Sequence, residues 1–175
     1  MARFPNLTLI LGGASSGKSA FAEELAALPN LPKTYVATAQ AFDDEMRKKI
    51  AAHRKAREGA NWKTIEAPLD LDPIWDVNGV VLIDCLTLWL TNHMTARNAL
   101  DELADKFLDK ALSAKGAIIA VSNEVGLGIV PENKMARQFR VAQGKLNQRI
   151  AQEADLVVQV TAGLPLILKG TLPDA

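Results

Sequence analysis

Short apolar runs alternate along the chain with longer stretches whose apolar positions recur every three to four residues. Leu7–Leu11 (LTLIL), Thr34–Thr38 (TYVAT), Trp62–Glu66, Gly79–Asp84 (GVVLID), Ala117–Ser122 (AIIAVS) and Leu156–Thr161 predict strands. Lys18–Leu28, Asp43–Glu58, Leu86–Thr95, Leu100–Ala114 and Glu132–Ala154 predict helices, the last irregular near Gly144. Continuous apolar runs mark strands covered on both faces, and strand–helix alternation marks a mainly parallel α/β sheet. A last apolar run, Leu164–Lys169, follows Leu156–Thr161 after a tight turn at Ala162–Gly163, so it predicts an antiparallel strand. In such sheets ligands bind beyond the carboxyl ends of the strands. Gly12, Thr38, Glu66, Asp84 and Asn123 all fall at or just past those ends.

Composition narrows the setting. The chain of 175 residues, read as a single domain over 1–175, is about half apolar, enough for a core without metals or disulfides. Twenty basic residues balance twenty acidic ones, which argues against bulk electrostatic attraction to nucleic acid or an anionic membrane. The one cysteine, Cys85, permits no internal disulfide and fits a reducing compartment. The apolar run at the start is too short for a signal peptide or a membrane span. A soluble, cytoplasmic protein is expected.

The chemistry starts at Gly12-Gly13-Ala14-Ser15-Ser16-Gly17-Lys18-Ser19, which has the P-loop spacing between a strand and a helix. Glycines let successive backbone N–H groups turn inward around phosphate oxygens, and the next helix adds the positive end of its dipole. Lys18 is expected to reach the β- and γ-phosphates of a nucleoside triphosphate, and the Ser19 hydroxyl to ligate Mg²⁺. Asp84, ending GVVLID, is the candidate acid that holds the ion through water; it also suits the N-cap of the following helix. Asn133-Lys134 is followed by Met135 and Ala136, so the Asn-Lys-x-Asp guanine motif of switch GTPases is absent.

His53 shares a helix face with Met46, Ile50 and Arg57 and lies among Arg47, Lys48, Lys49, Arg54, Lys55 and Arg57. A neutral imidazole kept so by cations can attack phosphorus or carry a proton. The same pattern also describes an amphipathic helix with a solvated basic face. His93 has no such surroundings and reads as structural or exposed. Glu124 follows the buried strand among polar residues at the same strand ends, and Arg137 and Arg140, on the next helix, are placed either to neutralise phosphate or to be surface arginines.

Taken together, GGASSGKS, YVATAQAFDDEM, RKKIAAHRKAREGANWKTIEAP, VLIDCLTLWLTN and SNEVGLGIVPEN resemble the bifunctional adenosylcobinamide kinase/adenosylcobinamide-phosphate guanylyltransferases of cobalamin biosynthesis. The resemblance runs from about Leu7 to Lys169. It implies a RecA-like P-loop fold and a homotrimer. It also implies two reactions: phosphorylation of adenosylcobinamide by ATP or GTP, then transfer of GMP from GTP through a guanylyl-histidine. By this resemblance His53 is the guanylylated residue, and Gly12–Ser19, Ala37, Thr38, Ala39, Arg54, Lys55, Ala56, Arg57, Glu66 and Asp84 line the GTP site. One departure is Ser15, where members of the family often carry arginine. The alternatives are a P-loop kinase for a small metabolite without a covalent intermediate, and a RecA-like NTPase that binds nucleic acid.

Overall fold

The computed structural model describes residues 4–40, 59 and 61–174. The predicted helix Asp43–Glu58, and with it His53, Arg54, Lys55, Ala56 and Arg57, lies outside the described residues. Among the described residues seven strands form one sheet: β1 (Leu7–Gly12), β2 (Lys33–Ala37), β3 (Trp62–Glu66), β4 (Val80–Asp84), β5 (Ala117–Asn123), β6 (Leu156–Thr161) and β7 (Leu164–Lys169). Their order is β3-β2-β4-β5-β1-β6-β7. All neighbouring pairs are parallel except β6 with β7, which is antiparallel across the Ala162–Gly163 turn. Both turn residues have positive φ, 52° and 77°, as a two-residue hairpin turn requires.

Strand alternation splits the core into two halves. Leu7, Leu9, Leu11, Val81, Ile83, Ile118 and Ala120 face one cluster, whereas Ile10, Val80, Leu82, Ile119 and Val121 face the other. Helix α1 (Lys18–Ala27) covers the second face through Ala22, Leu25 and Ala26. Helices α2 (Leu86–Thr95), α3 (Leu100–Leu112) and α4 (Lys134–Glu153) cover the first. Helix α3 shows why: Ala104, Phe107, Leu108 and Ala111 recur at helical spacing and are buried, while Asp101 and Glu102 in its first turn and Lys110 in its last suit the dipole. Phe107 meets Trp75 and Trp89 ring to ring in the middle of this layer.

Element ends moved by a residue or two from the sequence expectation. Among the described elements α4 differs in kind from the expectation, running unbroken for 20 residues through Gly144. Gly144 costs about 1 kcal/mol of helix propensity. Asn133 offsets that cost, its side chain accepting the N–H groups of Met135 and Ala136 at 2.8 and 3.2 Å. Burial of Leu146 and Ile150 on the same helix adds to it.

Candidate nucleotide site

The parallel register brings the expected site residues to one edge of the sheet. Gly12 lies beside Asn123 of β5 and Val160 of β6. Ala37 lies beside both Glu66 and Asp84. At a strand spacing of about 4.8 Å, β1 and β4 are about 10 Å apart with β5 between them, and β3 is about 19 Å from β1. A ligand touching both the glycine loop and Glu66 therefore lies along the strand ends. Glu66 itself is exposed.

The loop from Gly12 to Ser19 is shaped by its glycines. A Cβ on Gly12 would sit 2.3 Å from Ser16 Oγ and 2.7 Å from the Val160 carbonyl oxygen, so no larger residue fits there. Gly17 caps α1 at φ 92°, a left-handed conformation natural to glycine. Ser15 also has positive φ, 56°, at an exposed position on the loop, and Ala14 is exposed beside it. The loop is closed by Ser16 N–H donating to the Gly13 carbonyl at 3.3 Å. It is braced from outside by Gly163 N–H donating to the Ser16 carbonyl at 2.8 Å. Lys18 is buried, and its Nζ donates to the Gly13 carbonyl at 3.0 Å, which holds the ammonium over the loop. Ser19 follows on the first turn of α1, half-buried.

Asp84 ends β4 half-buried, and its Oδ2 accepts the Tyr35 hydroxyl at 3.1 Å. The N-cap of α2 is Cys85, with no side-chain cap bond, so Asp84 does not cap that helix. The peptide bond between Asp84 and Cys85 is cis. Thr38 closes over this junction: its hydroxyl donates to the Cys85 carbonyl at 2.7 Å and accepts the Cys85 N–H at 2.8 Å. Asn92 in turn donates to the Thr38 carbonyl at 2.9 Å and the Pro68 carbonyl at 2.8 Å. Thr38 is fully buried, so its hydroxyl serves the backbone of the site, while Ala37 and Ala39 on either side are partly exposed. Burial pushes the Cys85 thiol pKa up, and the neighbouring Asp84 charge adds to this, so the thiol stays protonated.

Sequence reasoning singled out Asn123 and Glu124 but missed the polar network beneath them. The Asn123 N–H donates to Thr87 Oγ1 at 2.7 Å, and Asn147 Nδ2 donates to the Asn123 carbonyl at 3.2 Å. Ser122 donates to Asn147 Oδ1 at 2.6 Å, and Gln143 Nε2 reaches both Ser122 Oγ and Asn147 Oδ1, at 2.8 and 3.0 Å. Gln143 and Asn147 stand one turn apart on α4, a spacing visible in the sequence once the helix is known to be continuous. Beyond the strand, Glu124 N–H donates to the Gly12 carbonyl at 3.0 Å, which ties this loop to the phosphate loop. Glu124 Oε1 accepts the Gly126 N–H, and Arg140 Nη2 donates to the Gly126 carbonyl. Arg137 instead folds back on the Pro131 and Glu132 carbonyls at the exposed start of α4.

His93 is buried and structural. Its Nε2–H donates to the Leu69 carbonyl at 3.1 Å, and Nδ1 accepts from Asn98 Nδ2 at 2.7 Å. Burial holds its pKa below the ordinary 6.5, with the Leu69 carbonyl pulling weakly the other way. Below pH 6.5 the unfolded chain therefore takes a proton that the folded chain resists, and stability falls with pH until the lowered folded-state pKa is passed. Thermal unfolding of the parent is expected to shift down between about pH 7 and about pH 5 more steeply than that of His93→Gln. Parallel pH profiles would refute this role for His93.

Strand, glycine loop, helix and a strand-end acid two strands away define a P-loop NTPase fold. The crystal structure of the flagellar accessory protein FlaH from Methanocaldococcus jannaschii has the same fold: TM-score 0.50, 20% identity, 95% of this chain and 79% of that one covered. The chain belongs to the cobinamide kinase / cobinamide phosphate guanyltransferase family, whose model matches residues 8–168. It is 46% identical over 168 residues to the bifunctional adenosylcobalamin biosynthesis protein CobP of Pseudomonas aeruginosa, covering 93% of this chain and 96% of that one. It is 34% identical over 183 residues to the bifunctional adenosylcobalamin biosynthesis protein CobU of Salmonella typhimurium, covering 93% and 99%.

Proposed function

We propose that this protein is a bifunctional enzyme of cobalamin biosynthesis. It phosphorylates adenosylcobinamide with ATP or GTP, then transfers GMP from GTP to adenosylcobinamide phosphate, giving adenosylcobinamide-GDP and pyrophosphate. The observation that carries this reading is the family match over residues 8–168, which spans the phosphate loop and every strand-end residue described above.

One phosphate cradle serves both reactions in this reading. The backbone amides of Gly12–Ser19 and the Lys18 ammonium take the β- and γ-phosphates; they stabilise the γ-phosphoryl group in the first reaction and the leaving pyrophosphate in the second. The nucleoside runs along the strand ends past Asp84 and the Ala37–Thr38–Ala39 backbone towards Glu66. His53, with Arg54, Lys55, Ala56 and Arg57 around it, supplies the nucleophile for the covalent guanylyl intermediate. Mg²⁺ suits the donors present: the Ser19 hydroxyl and the Asp84 carboxylate are hard oxygen ligands. Mg²⁺ held by a P-loop commonly keeps water and substrate phosphate oxygens among its ligands, so these two protein donors would suffice to place it. Bound there, Mg²⁺ would supply neutralising charge to the phosphates.

The same proposal has residues 1–175 acting as one nucleotide-binding domain in the cytoplasm, as a homotrimer. Strand β7 supports self-association, since it presents Leu164, Leu166 and Leu168 to solvent at the sheet edge. Among the described residues no helix is long and apolar enough to cross a membrane.

The deciding experiment compares GTP labelled at the α-phosphate with GTP labelled at the γ-phosphate. The α-label is expected on the protein, released by acid and stable to base as a phosphoramidate is, and absent in His53→Ala. A parent that consumes nucleotide and phosphorylates cobinamide but takes no label is a simple kinase. Normal labelling of His53→Ala would place the nucleophile elsewhere.

A further inference from the structure

Asn123 is held in place more tightly than a strand end requires, yet its own side chain is left unsatisfied. Its N–H is taken by Thr87 of α2 and its carbonyl by Asn147 of α4, so two helices fix one residue. Its Oδ1, by contrast, is buried without a hydrogen-bond partner among the described residues. A buried acceptor left unpaired is costly, and beside a ligand site it points to a catalytic role or to a donor brought by the ligand. The strand order says what lies nearby. β5 runs between β1, which ends in the phosphate loop, and β4, which ends in Asp84. Asn123 pairs in register with Gly12, and the next residue, Glu124, is bonded to the Gly12 carbonyl. A group at the end of β5 thus sits between the cradle of the terminal phosphates and the acid assigned to the metal, at the γ-phosphoryl end of the nucleotide.

We propose that Asn123 is a catalytic residue of the kinase reaction alone, whose Oδ1 accepts a hydrogen bond from the acceptor hydroxyl and aligns it on the γ-phosphorus. This rests on the bifunctional reading above. In the step, the hydroxyl oxygen forms a bond to the γ-phosphorus. The bond from that phosphorus to the β,γ-bridging oxygen breaks, and its electron pair leaves with the nucleoside diphosphate. The hydroxyl proton passes to an oxygen of the transferred phosphoryl group, since a carboxamide orients but does not take a proton. Guanylyl transfer breaks its bond at the α-phosphorus, where the γ-phosphoryl group is a bystander, so it draws nothing from Oδ1.

The test measures both reactions for the parent, Asn123→Ala and Asn123→Asp: phosphorylation of adenosylcobinamide, and guanylyl transfer to adenosylcobinamide phosphate supplied ready-made. Loss of one orienting contact is expected to lower the kinase kcat of Asn123→Ala by about 100-fold. Its nucleotide KM and its guanylyl-transfer kcat stay within about threefold of the parent, because nothing bound at the α-phosphorus is lost. Asn123→Asp keeps an acceptor oxygen and is expected to recover about tenfold of the kinase loss. Should the alanine variant fail to fold, Asn123→Leu, with the same branching and number of side-chain heavy atoms but no acceptor, carries the same expectation. Equal loss in both reactions, or a kinase kcat within twofold of the parent, overturns the inference. A parent inactive in both assays overturns the functional reading itself, and the role of Asn123 with it.

Discussion

Lys18→Ala is expected to lower kcat/KM by about 1,000-fold or more in both the kinase and the guanylyl-transfer assay, a loss of about 4 kcal/mol of transition-state stabilisation. The expectation follows from where the ammonium sits. It is buried, held to the Gly13 carbonyl inside the turn that Gly12 and Gly17 shape, and its backbone begins α1. In the proposed reading a triphosphate entering the loop meets the backbone N–H groups, the helix dipole and this ammonium together. Alanine keeps the first two and removes the third, so the fold is expected to survive while the charge on the leaving group goes uncompensated. Steady-state kinetics with each substrate would measure the effect. Retention of either activity would refute a single cradle shared by both reactions.

Gly79→Ala is expected to do the reverse, costing about 3–5 kcal/mol of stability, or roughly 10 °C in thermal midpoint, with kcat of the folded fraction unchanged. Gly79 has φ 97°, and a Cβ there would lie 2.2 Å from the Pro32 carbonyl oxygen. That oxygen cannot retreat cheaply, because it accepts the Val80 N–H at 2.9 Å where β2 and β4 begin to pair. The Gly79 carbonyl accepts the Ala117 N–H, also at 2.9 Å, so the starts of β4 and β5 share one junction. This junction is at the opposite end of the strands from the phosphate loop. Calorimetry or circular dichroism would give the midpoint. A shift of less than a few degrees would show that the backbone yields more easily than its hydrogen bonds imply.

How far the sequence could be read depended on the range of the interactions involved. β1, the glycine loop and α1 were legible because each is local: an apolar run, a spacing with a mechanism, a helical period. The parallel sheet and its antiparallel last strand were legible from alternation and the Ala162–Gly163 turn. The role of Asn133 was not, although an asparagine just ahead of a helical pattern is a capping signal; read as part of a broken guanine motif, it was passed over. Ser122, Gln143 and Asn147 form one buried network across 21 to 25 residues of sequence, and no local period announces that. Thr38 was expected at the strand end and is there, but its hydroxyl closes on Cys85, a partner only the β2–β4 pairing supplies. The predicted roles of His53 and its neighbours rest on resemblance alone, because these residues lie outside the described part of the structure.

The Gly163 N–H that braces the Ser16 carbonyl belongs to the turn between β6 and β7, and a Cβ on Gly17 would lie only 3.0 Å from Gly163 Cα. The phosphate loop and the outermost hairpin of the sheet are therefore one mechanical unit. A change that moves this turn therefore also removes the brace on the Ser16 carbonyl, so the shape of the loop depends on the outer hairpin as well as on its own glycines.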